Sequence, residues 1–247
     1  MTAPTGSPGA TGSGADDPGP AAEARATSRS FLRELPVIVV VALALSLLLK
    51  TFLVQAFFIP STSMQPTLEV GDRVFVEKIT TRFGSVDRGD VIVFRDPGGW
   101  LPDDPPAPRG VRTALREALA FVGVLPSTSE DDLIKRVIGV GGDRVRCCDR
   151  DGRVTVNGKA LDEPYVFPGD KPSEIDFDVR VPDGSVWVMG DHRGVSEDSR
   201  FHRDENGGRI PLDSVIGRAF VTVWPADRWG GLGRPAQFER LDGGAGE

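Results

Sequence analysis

The chain has 247 residues, a formal net charge of −7 and 26% charged residues. That is enough length for one or two domains with a real core, and too acidic a balance for a general nucleic-acid footprint. Two adjacent cysteines, Cys147 and Cys148, and two histidines, His192 and His202, exclude a disulfide framework and supply a thiolate–imidazole zinc site poorly. No P-loop is present, and the glycines of residues 139–143 do not continue into a dinucleotide fingerprint.

Residues 1–30 are rich in Gly, Pro, Ala, Ser and Thr and lack the large apolar side chains that could order them, so a disordered tail is predicted. Residues 36–59, "PVIVVVALALSLLLKTFLVQAFFI", form an apolar run long enough for a single transmembrane helix. A cleaved signal peptide is the alternative, with Arg25, Arg29 and Arg33 as its basic region and "VQA" at 54–56 as a cleavage-like site. The long preceding tail and Lys50 favour an uncleaved anchor, and the three arginines favour an N-terminus on the cytoplasmic side. The run leads straight into "IPSTSMQPTL" (59–68), where three hydroxyl side chains lie between Pro60 and Pro66. The prolines stiffen this turn. At ~3.5 Å per residue, Ser63 lies at most about 14 Å from Ile59.

From Gly71 onward short alternating strands dominate: "DRVFVEKI", "GDVIVF", "LIKRVIGV", "DRVRCC", "RVTVNG", "SVWVMG" and "RAFVTVW". Residues 149–161 read as a hairpin with turns at Asp151-Gly152 and Asn157-Gly158. The extramembrane part, residues 60–225, is therefore predicted to be mainly β, a sandwich or barrel-like body, with a β-rich cap at about 146–185. Residues 97–132 interrupt it with a Pro/Gly-rich loop and a stretch of helical periodicity at 111–123. That stretch reads as a packed surface helix, with a lid or membrane-surface contact as the alternative. Residues 226–247 are polar and Gly-rich and are predicted to form a flexible C-terminal tail.

Three stretches carry chemistry-bearing side chains. A serine hydroxyl is a weak nucleophile and needs a base. Neither histidine sits in a supporting motif, and there is no G-x-S-x-G elbow. Of the five lysines, Lys50 lies in the apolar run, Lys78 ends a strand, and Lys159 and Lys171 lie in polar turns. Lys135 sits in "DDLIKRVIGVGGD", and alternation puts it on one face with Leu133 and Val137. A lysine there either snorkels or is buried with a lowered pKa. In "GDHRGVSEDSR" (190–200), polar and charged residues crowd together after a strand. They read as a solvated loop or as a buried network that positions other groups.

Together the three stretches resemble the bacterial type I signal peptidases, membrane-anchored serine proteases that remove signal peptides from exported proteins. The serine motif is similar to "PSTSMQPTL", the lysine motif to "IKRVIGVGGD" and the C-terminal motif to "GDHRGVSEDSR". "GDRVFVEKI" and "RGDVIVF" resemble intervening family strands. The resemblance spans roughly residues 36–225. It implies a Ser–Lys dyad of Ser63 (nucleophile) and Lys135 (base), with the oxyanion held by the Ser63 N–H and the Ser61 hydroxyl. It further implies that Ser196 hydrogen-bonds the lysine, that Asp198 pairs with Arg200, and that Asp191 pairs with Arg136. The pocket walls for an Ala-x-Ala-like site fall on Phe57, Ile59, Pro60, Met64, Leu68, Val74, Val93, Leu133 and Ile134. His192, Gly194 and Val195 depart from the family's usual Asn, Asp and Asn, so the local bonding of that loop is open to change. The implied partners are signal peptides of exported preproteins, the lipid bilayer and the neighbouring secretion translocon. No nucleic acid is expected, nor any metal or cofactor. The implied location is a single-pass cell-membrane protein with its catalytic domain outside the cytoplasm. The vicinal cysteines face the oxidising side, either as a vicinal disulfide or as two thiols. Rival readings are a self-cleaving repressor, which would carry a DNA-binding head instead of an anchor, and an inactive anchored β-domain that binds exported proteins.

Overall fold

A computed structural model describes residues 34–45, 54–78, 85–102 and 132–242. The predicted N-terminal tail and the predicted helix at 111–123 lie outside the described residues. Residues 34–45 are helical (α1), with their apolar side chains exposed, and form a unit of their own. Among the described residues no helix is long and apolar enough to cross a membrane.

The second unit is built on strands. They are β1 (Val54–Phe58), β2 (Arg73–Glu77), β3 (Val91–Arg95), β4 (Asp132–Val140), β5 (Arg144–Cys147), β6 (Thr155–Val156), β7 (Lys159–Ala160), β8 (Phe177–Arg180), β9 (Ser185–Met189), β10 (Ile210–Pro211), β11 (Val215–Trp224) and β12 (Gly230–Gly231). The large antiparallel sheet runs β1-β2-β11-β3-β4-β9-β10, with β12 added to β11; a small sheet runs β7-β6-β5-β8. Valine, isoleucine and phenylalanine at alternate positions suit a half-buried pleat, and β2 shows the resulting exposed–buried alternation. Asn157 and Gly158, both at positive φ (54° and 80°), close the β6–β7 hairpin as a two-residue type I′ turn demands.

Two boundaries differ from the sequence expectation. The apolar run does not stay helical to Ile59: Val54–Phe58 is strand β1, paired with β2 from Val54↔Glu77 to Phe58↔Arg73. Of its five residues only Phe57 is buried in the core, while the other four are partly exposed. A sheet edge satisfies the backbone there as well as a helix does. The region after Asp227 is not a loose tail as far as Asp242. It forms β12 and helix α2 (Ala236–Asp242), whose Phe238 is fully buried. One large aromatic side chain entering the core outweighs a polar, Gly-rich composition.

The core has three parts. One packs the small sheet against β9 through Val145, Val156, Phe177, Trp187 and Phe238. A second holds Phe57, Ile59, Met64, Leu68, Val74, Val93 and Ile134. A third gathers Ile92, Phe94, Trp100, Val137 and Val188. Cys147 and Cys148, at the end of β5, are joined by a disulfide.

Candidate active site

The hydroxyl-rich turn is pinned at both ends. Ile59 N donates to Asp72 O (2.9 Å) and Gly71 N to Ile59 O (2.9 Å). Met64 and Leu68 are fully buried, which fixes the turn's apolar side. Ser63 thereby reaches the interior at 7% exposure. Its carbonyl accepts from His192 N (3.1 Å), which ties the turn to the C-terminal polar segment.

Lys135 lies mid-strand in β4, hydrogen-bonded to β3 on one side (Lys135↔Ile92) and flanked by β9 on the other (Arg136↔Met189). Such a doubly paired strand holds a side chain more rigidly than a loop does. Its Nζ donates to Ser63 Oγ at 2.7 Å, and Ser61 Oγ lies 3.2 Å from Ser63 Oγ. Lys135 is 4% exposed. Burial disfavours its ammonium form and pulls its pKa from 10.5 to about 8. Of the neighbouring charges, Asp198 works against this shift, Arg200 adds to it, and Asp191 and Glu197 oppose it. A neutral amine this close to a hydroxyl can take its proton, so the pair can act as nucleophile and base.

The polar segment 190–200 is a buried network, not a solvated loop. Asp198 and Arg200, both fully buried, pair through Nε–Oδ1 at 2.8 Å, and Asp198 Oδ2 also accepts from Gly190 N (2.9 Å). Arg136 grips Asp191 with two bonds, Nε to Oδ1 at 2.8 Å and Nη2 to Oδ2 at 2.6 Å. Gly190 is required by close approach: a Cβ there would stand 2.2 Å from Ser196 Oγ and 2.5 Å from Ser63 O. His192 stacks on Phe167 with ring centroids 3.9 Å apart.

Ser196 corrects one expectation. It is buried beside the site, but its Oγ has no hydrogen-bond partner, so the bond to Lys135 is not formed. Its Oγ lies against Gly190, where the chain is tightest. Of the nine expected wall residues, Phe57, Ile59, Met64, Leu68, Val74, Val93 and Ile134 share one cluster. Leu133 instead packs against the cluster around Ile92 and Phe94, because strand alternation separates it from Ile134. Pro60 is exposed.

Thr67, Glu163 and Tyr165 escaped the sequence reading, and Arg193 entered it only as part of the polar segment 190–200. Thr67 Oγ1 donates to Asp191 Oδ2 at 2.5 Å. Arg193 pairs with Glu163 at 2.6 Å and donates Nε to Gly190 O at 2.9 Å. Tyr165 donates its hydroxyl to Glu163 (2.8 Å) and lies under the Arg136 guanidinium, 4.3 Å from ring centroid to Cζ. Burial pushes the Tyr165 hydroxyl pKa well above its usual range. Thr67 was in view in the quoted turn, but Glu163 and Tyr165 sit in a connection with no local signal.

The site thus pairs a buried serine with a buried lysine of lowered pKa on a β framework, the layout of a serine hydrolase that works without histidine. The signal peptidase family, peptidase S26, matches residues 32–224, and the chain belongs to it as an enzyme of that class. Among its relatives, a probable signal peptidase I of Mycobacterium leprae is 42% identical over 234 residues, covering 83% of this chain and 80% of that one. A signal peptidase I of Mycobacterium tuberculosis is 43% identical over 231 residues, covering 84% and 78%. A solved signal peptidase I from Enterococcus faecalis aligns at 25% identity over 54% of this chain and 96% of that one, with a TM-score of 0.34. That score is too low to carry the fold, which rests on the strand pairings above.

Proposed function

We propose that this protein is a membrane-anchored endopeptidase that removes signal peptides from exported preproteins, cutting after Ala-x-Ala-like sites with a Ser63–Lys135 dyad. The observation that carries the reading is the 2.7 Å contact between Lys135 Nζ and Ser63 Oγ, made by a lysine that burial keeps largely deprotonated above pH 8. Neutral Lys135 takes the Ser63 proton as Oγ attacks the carbonyl carbon before the scissile bond. The tetrahedral oxyanion is held by the Ser63 N–H and the Ser61 hydroxyl, which the 3.2 Å Oγ–Oγ distance brings within reach. Lys135 then gives its proton to the leaving amine, the acyl-enzyme forms, and the neutral amine activates the water that hydrolyses it. The buried cluster of Phe57, Ile59, Met64, Val93 and Ile134 beside this pair suits small apolar side chains and excludes large ones.

The anchor in this reading is the apolar run before β1, with the N-terminus cytoplasmic and the catalytic unit on the other side. Exposed aromatic side chains support work at a bilayer surface: Phe75, Trp224 and Trp229 are 38%, 53% and 71% exposed, with Arg73 Cζ over the Trp224 ring, 5.7 Å from its centroid. Tryptophan beside a basic residue favours the lipid interface.

The test is cleavage of a preprotein bearing an Ala-x-Ala site by wild-type, Ser63→Ala and Lys135→Ala proteins in detergent, with the cut located by mass spectrometry. A cut after the second alanine, lost in both variants, is expected. A folded wild type that leaves the substrate intact from pH 6 to 10 sinks the proposal and favours the binding-domain reading.

A further inference from the structure

Residues 225–242 lie beyond the stretch the family matches, yet they reach the interior of the catalytic unit. Phe238 on α2 is fully buried. Its ring stacks near Tyr165, with centroids 6.1 Å apart and an interplanar angle of 24°. It also fills the space at Gly89, where a Cβ would meet the ring at 2.6 Å; Gly89 is at φ 87°, which favours glycine on its own account. Arg234 fastens the same segment, donating Nε to Arg88 O at 2.9 Å.

Both neighbours of Phe238 act on Arg136. The Gly89 carbonyl accepts from Arg136 Nη1 at 2.9 Å, and the Arg136 Cζ lies over the Tyr165 ring, 4.3 Å from its centroid. Arg136 in turn holds Asp191 by two bonds, and the next residue, His192, bonds the Ser63 carbonyl. We infer that Phe238 is a positioning residue for the dyad: by wedging Gly89 and Tyr165 it fixes Arg136 on Asp191, and so sets both the seat of Ser63 and the charge that Lys135 experiences. The inference rests on the Ser63–Lys135 reading.

The direction of its effect follows from the charges around Lys135. These are Asp198, Asp191 and Glu197 on the raising side and Arg200 on the lowering side. If Phe238 is lost, Arg136 loosens and Asp191 is less neutralised. The ammonium form of Lys135 then gains, and the rising limb of the pH profile moves to higher pH.

The experiment measures kcat and KM from pH 6 to 10 for the full chain in detergent, with a signal-peptide substrate. For Phe238→Ala the limb should move up by about 0.5–1 pH unit, which lowers kcat at pH 7 roughly three- to tenfold and leaves kcat near wild type at pH 9.5, with KM little changed. Phe238→Leu should recover most of the loss, and Glu239→Ala, on the exposed side of the same helix, should match wild type. A merely structural role would scale kcat by the same factor at every pH, since limb position does not depend on how much enzyme is folded. Tyr165→Leu is the second variant, expected to move the limb the same way, and it decides the matter if Phe238→Ala does not fold. The inference is overturned if the variants turn over with the wild-type limb. A wild type that does not cleave, or a Ser63→Ala protein that does, would instead overturn the dyad reading beneath it.

Discussion

The pH dependence of turnover tests the proposed chemistry most directly. Only neutral Lys135 can accept the Ser63 proton, and its pKa is lowered to about 8 by burial. With that value the neutral fraction is about 9% at pH 7, 50% at pH 8 and 90% at pH 9, so kcat/KM should rise about tenfold between pH 7 and 9 and then level off. An ordinary exposed lysine would give about a hundredfold rise over that interval, still climbing at pH 10. The assay is initial-rate cleavage of a signal-peptide substrate in detergent at fixed ionic strength. A profile flat from pH 7 to 9, or one with no plateau by pH 10, refutes the assignment of Lys135 as base. The same burial has a stability sign. The folded pKa lies below the unfolded one, so the unfolded chain binds the extra proton between pH 8 and 10.5. Stability therefore rises across that window and is lowest below it. The gap from 10.5 to about 8 corresponds to ~3 kcal/mol. Lys135→Met should be inactive yet more stable than wild type at pH 7 by up to that amount, an advantage that shrinks toward pH 10.5 in thermal melts.

Three further outcomes are expected. Gly190→Ala forces a methyl into Ser196 Oγ and the Ser63 carbonyl, so turnover should fall at least about a hundredfold; near-normal kcat would show that the contact is not tight. Asp191→Asn strips the charge partner from a buried guanidinium and should cost about 3–5 kcal/mol, read as a thermal shift of roughly 10 °C; a melt unchanged within 2 °C would count against the buried pair. Replacing Trp224 and Trp229 together with alanine should weaken binding of the chain to anionic vesicles in flotation assays; equal flotation would remove these side chains from the membrane contact.

Strand identity was readable because valine-rich alternation bounded by Gly, Asp and Pro reports a half-buried pleat without knowledge of the partner strand. Motif resemblance pointed to Ser63 and Lys135, which the structure places 2.7 Å apart, and the apolar neighbours of Lys135 pointed to it as well. What stayed hidden depends on contacts distant in sequence. Glu163 and Arg193 are thirty residues apart, and nothing local in "LDEPYVF" marks Glu163 as the partner of Arg193 or Tyr165 as the neighbour of Arg136. Phe238 was hidden by the polar composition around it, since one buried ring leaves no periodicity. That Val54–Phe58 is a strand was hidden because a run of apolar residues satisfies a helix and a sheet edge equally well.

The sheet order bears on how the two halves of the candidate site are joined. Ser63 follows β1 and Lys135 lies in β4, yet the path between them in the sheet runs through β2, β11 and β3. Strand β11, residues Val215–Trp224, thus joins two pieces made long before it. Among the described residues, the sheet path from the serine's side to the lysine's therefore passes through a strand that lies later in the chain than either. A chain that ends before Val215 lacks the strand that joins β1–β2 to β3–β4 in this sheet.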